Sequence, residues 1–212
     1  MSKTDFTMFC QQFFGNASLA DNFTVAGTPA AATNEAAVEF TDGDAIHFGG
    51  NLQIDPTMLK KIVAELHVAN TAGGAADPNS VPANVRVFFG LIGAAYNADP
   101  VANISKYILF LVEDAAETQE IRCVASDGTN TYDETVRLLD ERSREYEIDL
   151  NGGVGDVMMR VGGKPAHNVH TKLDLSKLTA SDKMQPVLAV VGLNCTLKLS
   201  QIFAEGRRSL RK

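Results

Sequence analysis

A chain of 212 residues, 45% hydrophobic and 21% charged, has room for one sizeable core, and no shift in composition divides it. Its net charge of -7 argues against a nucleic-acid-binding face, and no apolar run approaches the roughly 20 residues that span a bilayer. The N-terminus lacks the apolar stretch of a secretory signal, so the sequence predicts a soluble protein made in a cytosol, without a membrane partner. On that reading the Asn-X-Ser/Thr sequons at Asn16, Asn22, Asn103 and Asn194 are chance.

The first element in chain order is TDFTMFCQQFFG, in which Phe6, Phe9, Cys10, Phe13 and Phe14 recur at helical spacing. That stripe predicts a short helix capped by Thr4 or Asp5 and stopped by Gly15. The Ala/Thr/Asn-rich AGTPAAATNEAA after it reads as a flexible or extended arm. The helix either covers an open end of its own subunit or docks on another chain.

From residue 38 onward, short apolar runs broken by Gly, Pro and Asn predict strands. AVEFTDGDAIHFGGNLQI gives short pieces of one apolar face around an Asp42-Gly43 turn. DPTMLKKIVAELHVAN fits both periods, and a turn of helix begun at Asp55 and Pro56, followed by a strand, suits its neighbours best. VRVFFGLIGAAY is a further strand, and ISKYILFLVED and TQEIRCVASDG form the two arms of a hairpin, with Ile121, Cys123 and Ala125 on one face.

In EYEIDL, Tyr146, Ile148 and Leu150 alternate with Glu145, Glu147 and Asp149 before the Asn151-Gly152-Gly153 turn. One side is core and the other is wet. DVMMRVGGK, HTKLDLSKL, MQPVLAVVGLN and CTLKLSQIFAEG complete the run of strands. The expected organisation is an N-terminal helix and extended arm over 1–35, an all-β antiparallel sandwich over 36–206, and a basic C-terminal tail over 207–212 carrying Arg207, Arg208, Arg211 and Lys212.

Catalytic and metal signatures are sparse. Cys10, Cys123 and Cys195 are far apart and read as reduced, buried or semi-buried thiols. His167 and His170 lack a third ligand at a recognisable spacing, and the glycines of GGVGD and VGGKP lack the spacing of a phosphate-binding loop. No metal or cofactor is expected.

The order of ASDG, REYEIDLNGG, VGGK, LAVVG and LKLSQIFAEGRR resembles the concanavalin A-like (laminin-G-like) jelly-roll sandwich over roughly residues 36–206. The resemblance implies that the strand of Tyr146, Glu147 and Ile148 pairs with one ending at Gly162-Gly163-Lys164, and that the last strand returns beside the first. That family includes glucanases whose catalytic strand carries Glu-x-Asp-x-Glu or a near variant. Here the order is Glu145, Glu147, Asp149, and there is no Trp to stack on a sugar. The carboxylates are therefore read as a solvated strand face, and the chain as no enzyme.

Two functional classes follow from this reading. The chain resembles the small jelly-roll decoration (cement) proteins of tailed-bacteriophage capsids, which implies a virion structural protein assembled in the host cytoplasm. Its expected partners are the major capsid protein or other virion subunits, and copies of itself, since such decorations often form trimers. Phe6, Phe9, Phe13, Phe14, Arg207, Arg208, Arg211 and Lys212 are the expected interface. The alternative is a lectin-like carbohydrate-binding module.

Overall fold

The computed structural model describes residues 3–12, 23–31, 37–47, 54–70, 85–93, 96, 99–115, 118–138, 144–165 and 173–209. The strands among them are β1 (Lys3–Gln12), β2 (Thr24–Ala26), β3 (Ala30–Ala31), β4 (Val38–Phe40), β5 (Ala45–His47), β6 (Leu59–Asn70) and β7 (Arg86–Ile92). After a short helix, α1 (Pro100–Asn103), come β8 (Lys106–Ala115), β9 (Thr118–Asp127), β10 (Thr131–Leu138), β11 (Arg144–Asp149), β12 (Met158–Val161), β13 (Lys164–Pro165), β14 (Gln185–Val191) and β15 (Cys195–Ser209). They build two antiparallel sheets, the jelly-roll sandwich that the strand pattern predicts.

One sheet runs β13-β12-β11-β6-β15-β4-β3, with β1 added along β15; the other runs β10-β9-β8-β7-β14-β5-β2. The two differ in a way the sequence explains. In β11 and β6 apolar and polar residues alternate, so Tyr146, Ile148, Ile62, Ala64 and Leu66 face the core while Glu147, Lys61 and Glu65 lie on the outer side. In β7, β8 and β14 the apolar runs RVFFGLI, KYILFLV and QPVLAVV are continuous, and both of their faces are covered. Phe89, Phe110 and Leu188 join the core between the sheets, where the Phe110 ring meets Tyr146 edge-on at 5.2 Å. Phe88, Leu109, Leu111, Val187 and Ala189 form a second cluster on the opposite face, with Ile104 and Tyr107.

The pairings implied by the resemblance are present. Tyr146 pairs with Val161 and Glu147 with Arg160, and β12 turns through Gly162 and Gly163 into Lys164. β15 returns beside β4. Residues 55–58 make one turn closed by N–H bonds of Met58 and Leu59 to the Asp55 carbonyl, and the β6 strand follows directly.

The N-terminal helix is corrected. Residues 3–12 form β1, antiparallel to the far half of β15, with Lys3 opposite Ser209 and Gln12 opposite Gln201. A β-bulge between Thr7 and Phe9 reconciles this with the helical spacing: Phe6 sits opposite Gly206 and Phe9 opposite Ala204, two positions of one alternation along β15. Three-residue spacing suits a helix, and it also suits a strand that skips one residue. The sheets thus reach back before residue 36, through β1, β2 and β3, and forward past residue 206 to Ser209. Arg207 and Arg208 belong to β15, opposite Asp5 and Thr4, rather than to a tail. Phe13, Phe14, Arg211 and Lys212 lie outside the described residues.

Cys123 and Cys195 are buried thiols, as expected, and burial pushes both up from the usual thiol range, Cys195 to about 12. Native protein should therefore leave both unreacted with an excess of iodoacetamide at pH 8, as read by peptide mass mapping. Both should be alkylated once urea opens the sandwich.

Candidate functional site

The outer face of β11 carries the three carboxylates that the sequence sets apart. Two of them do not stand free in water. Arg160, one strand over on β12, donates to Glu147 Oε1 at 2.5 Å and to Asp149 Oδ2 at 2.7 Å, and Lys61 on β6 lies 3.7 Å from Glu147. The Glu147 and Asp149 side chains are 16% and 21% exposed, so the expected solvated face is a half-buried ion cluster. Only Glu145 is an exposed residue on this strand. Neutralised in pairs, these acids make a structural clasp across β6, β11 and β12. Arg160→Met should lower stability by about 1 to 2 kcal/mol, measured by urea unfolding, because it leaves half-buried Asp149 without its guanidinium and Glu147 with Lys61 alone.

A different surface has the shape of a site. On the outer face of the second sheet, a cross-strand row sets Tyr107 of β8 opposite Ser126 of β9, and Ser126 opposite Thr131 of β10. This row and the α1 segment line an open cavity of about 400 Å³, with Val101, Ile104 and Ser105 on its helical side. The sequence builds it locally. Asp99 caps α1 by accepting from Ala102 N–H at 3.2 Å, and Pro100 supplies the first helical φ. Below, the β9–β10 turn is pinned by the buried Asp127 carboxylate, which accepts N–H bonds from Thr129, Asn130 and Lys177. Burial alone would raise the Asp127 carboxyl; those N–H bonds outweigh it and hold it below the usual range.

Inside the cavity the polar groups divide into satisfied and unsatisfied. The Ser126 hydroxyl donates to the Ser105 carbonyl at 2.9 Å and accepts from Gly128 N–H. Tyr107 is 6% exposed, and its hydroxyl has no hydrogen-bond partner among the described residues. Burial raises its pKa first, and the fields of Asp133 and Asp99 raise it further. Those two acids end a charge ladder across the sheet: Asp99 pairs with Arg86, Arg86 with Glu113, Glu113 with Arg122, and Arg122 with Asp133.

Lys106, beside Tyr107, reaches Asp182 at 2.5 Å and ties β8 to the 179–183 loop. The bond from Lys106, then those from the Thr179 N–H and hydroxyl, lower the Asp182 carboxyl from 3.8 to about 2. A depressed folded value stabilises fully above the ordinary carboxylate range and is lost as pH falls through the folded value. Lys106→Met should therefore flatten the acid limb of a melting-temperature profile between pH 4 and about 2, and leave its shape above pH 5 unchanged.

His47 lies on β5 with its ring stacked on Tyr96 at 5.8 Å and its Nδ1 3.3 Å from Gln185 Oε1; His67 lies on the outer side of β6. His167 and His170 fall outside the described residues. Among the described residues no three His, Cys, Asp or Glu side chains group to hold a metal ion, and no helix is long and apolar enough to cross a membrane. Tyr107, Ser126 and Thr131 were not singled out from sequence. Their signal is the register of the β8–β9 hairpin and the β9–β10 turn, which residue periodicity leaves open.

This arrangement belongs to the concanavalin A-like jelly-roll fold of lectins and glucanases. A non-specific endo-β-1,3(4)-glucanase of family GH16 aligns over 98% of this chain and 94% of its own, with a TM-score of 0.65 and 8% identity. A β-1,3-glucanase from Mycobacterium marinum aligns over 93% and 98%, at 0.63 and 10%. The legume lectin-like domain from Entamoeba histolytica aligns over 87% and 89%, at 0.59 and 12%. No protein-family model and no curated protein matches the sequence.

Proposed function

We propose that the chain is a non-catalytic assembly protein, a jelly-roll decoration that seats on a virus capsid and contacts the major capsid protein. The observation that carries this reading is β1. It is a ten-residue strand whose one partner strand among the described residues is β15, and it leaves a long row of backbone donors and acceptors at the edge of a sheet. Such an edge is a template for another chain, and here the expected interface residues Phe6, Phe9, Arg207 and Arg208 lie on β1 and its partner. The clasp on β11 supports the non-catalytic part of the reading. Glycoside hydrolysis needs one carboxyl that holds a proton and another free to attack or to activate water, whereas Glu147 and Asp149 are both engaged by Arg160.

The test is co-sedimentation with undecorated tailed-bacteriophage capsids. The Arg207→Gln, Arg208→Gln double variant should bind at least about tenfold more weakly while melting near the wild-type temperature. Binding unchanged by the double variant would remove this edge from the interface. A second reading, a lectin-like module, is favoured by the fold of the neighbours and by the hydroxyl-lined cavity. Saturable binding of neutral glycans, with none to capsids, would select it.

A further inference from the structure

We draw no further inference here: the strongest candidate, the open cavity between α1 and the row of Tyr107, Ser126 and Thr131, is flanked by Asp99, Asp133 and Asp182 already paired with Arg86, Arg122 and Lys106, and nothing in the structure shows what occupies it.

Discussion

Gly90→Ala should abolish folding or lower the melting temperature by more than about 10 °C. Gly90 lies in β7, in the middle of the second sheet, with φ at 152°. A Cβ there would stand 2.1 Å from the Ile108 carbonyl oxygen and 3.0 Å from both Leu109 Cα and Ile148 Cδ1. Two of these three are backbone atoms of the neighbouring strand β8, where Leu109 pairs with Gly90, so relief requires separating strands rather than turning a side chain. Circular dichroism and thermal melting would show it. A variant that melts within a few degrees of wild type would mean that β7 and β8 pair differently.

Ile148→Ala should cost about 2 to 5 kcal/mol in urea unfolding, because Ile148 is fully buried where β11 faces the other sheet. Glu147→Ala, one residue away, should cost about 1 kcal/mol. That is more than a surface change, because it unbalances Arg160 and Lys61, yet well below the core substitution. Equal losses at the two positions would reverse the strand register. Together the two variants separate what the alternation of EYEIDL specifies from what its ion pairs add.

Much of this was legible in the residues. The alternation in EYEIDL predicts Tyr146, Ile148 and Leu150 in the core, and all three are buried. The ISKYILFLVED and TQEIRCVASDG segments form the hairpin expected of them, with Ile121, Cys123 and Ala125 sharing the inner face. Two kinds of information were not local. The N-terminal phenylalanines fit a helix by spacing, and it is the far half of β15, at the other end of the chain, that pairs with the segment as a bulged strand. Likewise Arg160 carries no motif. Its partnership with Glu147 and Asp149 depends on the register between β11 and β12, so a row of acids that reads as wet is in fact clasped. The cavity depends on registers of the same kind, which bring Tyr107, Ser126 and Thr131 into one row from three strands.

The central claim, that the chain is an assembly protein and not a glycosidase, meets its most direct test in one experiment with purified full-length protein. Undecorated tailed-bacteriophage capsids and insoluble β-1,3-glucan would be incubated separately with it, sedimented, and assayed for bound chain and for released reducing sugar. The account predicts that the chain pellets with capsids at a fixed, saturable ratio, releases no sugar, and keeps its capsid binding when Glu147 and Asp149 are changed to Gln and Asn. Reducing sugar released by wild type and lost in that double variant, with the chain left in the supernatant of the capsids, would contradict it.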